Sequence, residues 1–318
     1  MINILSSTHA ATGGTELLQQ LCFQLRENGI PATMYYTENY ENSKVQKKFG
    51  KMYHNPNVKS LEENSVVIVP ETEIDSYLKI KINFKKTYIW WLSVDNYYGA
   101  GRIKTNTIRD AYRWFKHKRN LQILKNIYHC VQSEYARLYL INEIGIAKEK
   151  IFYLSDYIND DYLNKRNIDL SKKENIILYN PQKGIEYTQK LMHDITEYKW
   201  VALEGMTNDE MISIFSKAKL YVDFGNHPGK DRIPREAALF YCCVITGKRG
   251  AADNDIDIPI PGYYKFETID NIGLIKDSIN KCMVQYELAI HDFAEYRNKI
   301  LNEKDLFIKN ALEIFKEK

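Results

Sequence analysis

The sequence predicts an α/β protein built from two doubly wound parallel sheets, and three observations carry that expectation. Short apolar runs of strand length alternate with helix-period stretches along the chain, which favours parallel sheets covered by helices on both faces. The pattern pauses over a polar, turn-rich segment from Asp156 to Lys173 and then restarts. At 318 residues the chain has room for two cores rather than one.

Met1 to Leu5 reads as a buried first strand, and Ser6 to Gly14 as the loop leaving it. From Thr15, Leu17, Leu18, Leu21, Cys22 and Leu25 recur at helical spacing, and Asn28-Gly29 stops that helix before a strand at Ala32 to Tyr36. Further strands are expected at Ser65 to Val69, Tyr88 to Val94, Ile127 to Gln132 and Ile151 to Leu154. Helices are expected around Glu71 to Ile80, Thr105 to Lys125 and Glu134 to Ile144. Beyond the boundary, strands at Ile176 to Tyr179, Trp200 to Leu203, Leu220 to Phe224 and Val244 to Thr246 alternate with helices at Lys183 to Ile195, Asn208 to Ala218 and Pro234 to Tyr241. The expected divisions are 1–160, 170–268 and a helical tail, 269–318, that packs back across the first domain.

Composition excludes several classes. With 44% apolar residues, 27% charged residues and a formal charge of +3, the chain is neither disordered nor a basic nucleic-acid coat. Its five cysteines lack C-x-x-C spacing, so neither a disulfide framework nor a zinc site is indicated, and a reducing cytosol fits. The start has no basic region ahead of its apolar run, and no run approaches the ~18 residues of a membrane span.

Two open α/β sheets bind ligands in crevices at the carboxyl ends of their strands. The loop from Gly225 to Glu236, between the strand ending at Phe224 and the next helix, is dense in suitable groups. Lys230, Arg232 and Arg235 beside a helix N-terminus suit a diphosphate, and at least two of the three are expected to contact it. A solvated surface loop is the alternative. The spacing of Gly225 and Gly229-Lys230 is one residue short of a P-loop, and Asp231 replaces its Ser or Thr. Lys183 opens a helix, where a cation is slightly unfavourable, and with Gly184 beside it the misfit suggests an anion contact. No clustered carboxylate pair is visible, so no metal is expected.

Four stretches together resemble the GT-B glycosyltransferases, in particular the glycogen-synthase-like group (glycosyltransferase family 4-like) that includes capsule and lipopolysaccharide sugar transferases. They are Gly13-Gly14 after the first strand; Tyr128 to Ser133 with Gly145-Ile146 and Lys150 to Leu154; the Asn180-Pro-Gln-Lys-Gly184 turn; and Arg235-Glu236 through Thr246. The resemblance covers most of residues 1–265. It implies two Rossmann-like domains facing a central cleft, a nucleotide-sugar donor, no other cofactor, and a donor-ribose contact at Glu236. It also implies that Gly13 and Gly14 lie beside phosphate or acceptor. One departure stands out: the family's second carboxylate, eight residues before Glu236, is Pro228 here. His227 or backbone N–H groups are the expected replacements for holding the donor sugar.

In the first domain, Asp95 at the end of the Tyr88–Tyr98 stretch is a candidate to orient the acceptor hydroxyl, with an Asx turn as the alternative. His9, in the glycine loop, is a candidate acceptor or phosphate contact. Arg102 to Lys125 carries eight Lys or Arg against Asp110, interleaved with Tyr112, Trp114 and Phe115. Such a stretch suits an anionic membrane surface or a lipid-diphosphate acceptor, the alternative being a solvated basic face.

The function expected is sugar transfer from a nucleotide donor to a hydroxyl acceptor, saccharide or lipid-linked. By resemblance this belongs to bacterial surface polysaccharide or glycoconjugate synthesis, in the cytoplasm or peripherally at the inner face of the membrane. A nucleotide-sugar epimerase and a catalytically silent binding or scaffold protein are the alternatives.

Overall fold

The structure is a computed structural model that describes residues 1–97 and 122–316. Its chain forms two compact units: Met1–Asp156 together with the chain from Asp305 onward, and Tyr157–Lys304.

The first unit holds a seven-stranded, all-parallel sheet. In chain order its strands are β1 (Ile2–Ser6), β2 (Ala32–Tyr36), β3 (Asn57–Val58), β4 (Val66–Pro70), β5 (Lys86–Trp91), β6 (Tyr128–Val131) and β7 (Ile151–Tyr153). They lie in the order β3-β2-β1-β4-β5-β6-β7, with Ile2 of β1 opposite Ala32 on one side and Val66 on the other. Both faces are covered, which is why these strands read as continuous apolar runs rather than alternating ones. On one face Leu5, Val67, Val69, Ile89, Trp91 and Val131 share a core. On the other, the Trp90 ring lies 6.2 Å from Phe307 and the Tyr88 ring 5.2 Å from Phe315, so the end of the chain supplies part of that cover.

The helix after β1 spans Gly13–Glu27, two residues earlier than its apolar period suggests. Thr12 and Thr15 form a reciprocal capping box that satisfies two otherwise orphaned amides and starts the helix at Gly13. The helix expected over Glu71 to Ile80 is reduced to a 3-10 turn, Glu71–Glu73, and one α-turn, Ile74–Tyr77. Within that α-turn Ile74 is the sole fully buried apolar anchor, too little tertiary packing to carry a longer helix. Of the basic stretch from Arg102 to Lys125, only 122–125 falls among the described residues, so its aromatic residues and their proposed membrane contact lie outside them.

The second unit has five parallel strands, β8 (Glu174–Tyr179), β9 (Lys199–Ala202), β10 (Ala218–Asp223), β11 (Cys243–Gly247) and β12 (Lys265–Phe266), ordered β12-β11-β10-β8-β9. Helices Ile185–Asp194, Asn208–Lys217, Arg232–Leu239 and Ile272–Val284 flank them. Thr207 and Glu210 make the capping box that starts the second of these. A buried ammonium ends two of them. Lys173 Nζ donates to the carbonyls of Phe215 (2.8 Å), Ala218 (2.6 Å) and Phe240 (2.6 Å), neutralising the negative ends of helices Asn208–Lys217 and Arg232–Leu239. Burial lowers the pKa of this amine. The last helix, Ala294–Phe315, begins in the second unit, and its residues from Asp305 belong to the first.

Candidate functional site

In each sheet the winding reverses at one gap, between β1 and β4 in the first unit and between β8 and β10 in the second. Loops leaving the carboxyl ends of the strands beside such a gap run in opposite directions and open a crevice. In the second unit those loops are 180–184 and 224–231.

Two glycines let the loops meet. Gly184, the N-cap of helix Ile185–Asp194, has φ of 59°, and a Cβ there would lie only 2.6 Å from the Gly225 nitrogen. Only glycine tolerates both the left-handed conformation and that approach. The result is a backbone floor, over which Lys183 reaches to Asp231, Nζ to Oδ2 2.6 Å. Lys183 therefore faces a carboxylate, and both side chains keep partial access to solvent, at 32% and 21%.

His227 lies beneath this pair, completely buried. Its Nδ1 stands 3.2 Å from Asp231 Oδ2 and its Nε2 3.6 Å from Asp223 Oδ1, neither in line for a hydrogen bond. Asp223 is fixed in turn by the Tyr221 hydroxyl (2.7 Å) and the Gly225 N–H (2.9 Å). Burial opposes charge on the imidazole, but Asp223 and then Asp231 outweigh it, and the His227 pKa is raised. For Asp231 the burial penalty is outweighed by His227 and Lys183, and its pKa is lowered. These features correct two expectations. His227 has no surface to offer a donor sugar, because its backbone is bridged to Gly250 and its ring is enclosed by the two aspartates. A carboxylate pair does exist, because folding brings Asp223 and Asp231 to one imidazole, with ligand-type atoms of all three residues within 4.8 Å. The two carboxylates address different ring nitrogens of His227.

The three cations of the loop also separate. Lys230 Nζ lies 2.7 Å from Glu303 Oε1 and Arg235 Nη1 lies 2.6 Å from Glu303 Oε2, with all three side chains at most 5% exposed. Arg235 additionally donates to the carbonyls of Asp231 (3.2 Å) and Lys230 (2.9 Å). The expectation that two of Lys230, Arg232 and Arg235 meet a phosphate is thereby corrected: Lys230 and Arg235 are buried on a carboxylate supplied by the last helix. Arg232, half-buried, begins helix Arg232–Leu239. That helix starts two residues before Pro234, so Glu236 falls in its second turn, where it is buried.

In the first unit the predicted residues are dispersed around the carboxyl edge of the sheet. His9 is exposed and paired with Glu38. Gly13 and Gly14 form the first turn of their helix rather than a loop, and a Cβ on Gly14 would sit 3.6 Å from Leu92 Cδ1. Asp95 is half-buried in the one-turn helix Val94–Tyr97 that follows β5.

Solved structures resemble this chain in fold, several of them over nearly its whole length. A sucrose-phosphate synthase from Thermosynechococcus elongatus superposes with a TM-score of 0.67 at 14% identity, over 99% of this chain and 98% of that one. A glycosyltransferase from Rickettsia africae gives 0.65 at 12%, over 99% and 97%. Anabaena HepE, solved in complex with UDP-glucose, gives 0.63 at 12%, over 99% of both chains. The chain has the GT-B fold. No protein-family model matches the sequence, and no curated protein matches it by sequence.

Sequence reasoning missed three groups in this GT-B chain. Glu303, in the unpunctuated tail, gives no local sign that it anchors a loop 68 residues away. Glu71, at the end of β4 beside the β1/β4 gap, is buried and accepts the Leu92 N–H at 2.9 Å; burial pushes its pKa up to about 7. His129 of β6 accepts from Trp91 Nε1 at Nδ1 (3.0 Å), so its proton is on Nε2, 3.0 Å from the Leu124 carbonyl. Burial lowers its pKa to about 4, and it is a neutral core residue.

Proposed function

We propose that this protein is a glycosyltransferase that binds a nucleotide-diphosphate sugar at the β8/β10 gap of the second unit. The observation that carries this reading is Lys183, held over the Gly184–Gly225 floor by a single carboxylate at the gap, in a fold shared with glycosyltransferases. A diphosphate offers the same sign of charge and the same kind of hydrogen-bond acceptor as that carboxylate, and neutralising it favours departure of the nucleotide. Arg232, at the start of the helix after β10, is the second phosphate contact, and Glu236 the ribose contact. Gly13, Gly14 and Asp95 of the first unit belong to the acceptor side, the acceptor being a sugar hydroxyl. The lipopolysaccharide outer core galactosyltransferase WaaB, matched at a TM-score of 0.62 and 11% identity over 99% of both chains, supports a surface glycan as that acceptor.

The test is thermal stabilisation by UDP, GDP, ADP, TDP and CMP. A nucleotide at ~100 times its dissociation constant adds about 2.7 kcal/mol, a shift of a few degrees. A base-selective shift that disappears in Arg232→Ala and Glu236→Ala supports the assignment, and the absence of any shift refutes it. Turnover of the matching nucleotide sugar without acceptor would favour an epimerase instead.

A further inference from the structure

The Lys183–Asp231–His227–Asp223 chain of charges has a feature that a phosphate site does not need: its accessible cation is already occupied. While Lys183 stays 2.6 Å from Asp231, one of its three N–H donors is committed there and its charge is shared with the carboxylate. If it leaves, Asp231 keeps a negative charge, and the His227 ring lies 3.2 Å from it.

We propose that Asp231 is a phosphate place-holder for Lys183 and that nucleotide binding is coupled to proton uptake by His227. The inference rests on the donor-site reading above. When phosphate oxygens take over Lys183, the carboxylate left behind is neutralised by a proton that His227 draws from solvent onto the ring, whose Nδ1 faces Asp231. No covalent bond changes, and Asp231 stays ionised throughout.

The surroundings of the ring support this assignment. Asp223 faces it from β10, anchored by Tyr221, and Asp231 faces it from the start of helix Arg232–Leu239. Lys183 is the cation directed at it from the β8 loop. From the turn after β11 it meets backbone: the His227 carbonyl accepts the Ala251 N–H at 2.8 Å, and the Arg249 guanidinium is turned away, over the Tyr187 ring at 4.4 Å. Gly250, at φ 62°, leaves no room for a side chain against the His227 carbonyl, which holds the imidazole in position. In the nearby Lys230–Glu303–Arg235 group both cations face Glu303 rather than His227. With His227 neutral, two aspartates and Lys183 carry one net negative charge. With Lys183 removed to a ligand they carry two, and protonation of the ring is the nearest compensation available.

Calorimetric titration of UDP and of pyrophosphate at about pH 8, in two buffers of different ionisation heat, tests the proposal on the full chain. Wild type is expected to take up a substantial fraction of one proton per site, and His227→Gln none. Asp231→Asn, which removes the competitor, is expected to bind pyrophosphate at least about threefold more tightly. Should His227→Gln fail to fold, the pH dependence of the wild-type dissociation constant, weaker binding as pH rises and a flat profile in Asp231→Asn, serves in its place. Binding without proton uptake, or no gain in Asp231→Asn, overturns the place-holder and leaves the donor site standing. Failure of wild type and Asp231→Asn alike to bind any nucleotide diphosphate or pyrophosphate overturns the donor site, and this inference with it.

Discussion

Glu303 is the single residue whose loss should be felt most in the second unit. It is 2% exposed and holds two cations, Lys230 at 2.7 Å and Arg235 at 2.6 Å, that are themselves buried. Replacement by Gln keeps the shape but leaves two positive charges in a low-dielectric interior, facing one neutral amide. Removing one partner of a buried ion pair costs about 3–5 kcal/mol, and here one carboxylate serves two cations, so Glu303→Gln is expected to lose about 4 kcal/mol or more. The matching control is Lys230→Met, Glu303→Leu and Arg235→Met together, which removes all three charges and should recover most of the loss, because an apolar replacement of a buried ionic group is often neutral or better. Urea unfolding followed by circular dichroism measures both. A loss under about 1 kcal/mol in Glu303→Gln, or a triple variant as unstable as the single one, would refute the view that these cations are structural.

Two other predictions concern buried titratable groups. Burial pushes the Glu71 pKa up to about 7, above the ordinary glutamate value, so the folded state holds its proton more tightly than the unfolded chain does. Its effect favours folding below about pH 4.5, and stability falls by about 3 kcal/mol as pH rises through 7. Glu71→Gln should flatten that part of the stability–pH curve, and urea midpoints at pH 5 and pH 8 that change equally in both proteins would contradict it. Lys173→Met would strand three carbonyls at two helix ends and should cost about 3 kcal/mol or more, read as a lower urea midpoint.

The central parallel strands were legible because those buried on both faces are written as runs such as Val-Val-Ile-Val at 66–69 or Tyr-Ile-Trp-Trp at 88–91. Strands β3 and β12 were not, since two residues each, Asn57–Val58 and Lys265–Phe266, have no period to detect. Helix starts were misplaced where side-chain chemistry overrides apolar spacing, as at the Thr12–Thr15 capping box. In the site, local density of Gly, Lys and Arg located the loop correctly at the β10 edge but did not assign its charges. That assignment depends on carboxylates distant in sequence: Glu303 claims Lys230 and Arg235, while Asp231 claims Lys183 across 48 positions. A charge count over one loop treats every cation as available, whereas burial beside a distant acid removes it.

The last helix has a consequence for how the chain is made. Its residues Phe307 and Phe315 lie against Trp90 and Tyr88, on strand β5 of the unit whose strands are all synthesised within the first half of the chain. During translation strand β5 of the first sheet to emerge therefore waits for part of its cover, Phe307 and Phe315, until more than 200 further residues have been made. Such a chain is exposed to aggregation through that face while residues 157–304 are made. Truncation before Asp305 harms the earlier-made unit rather than the later one.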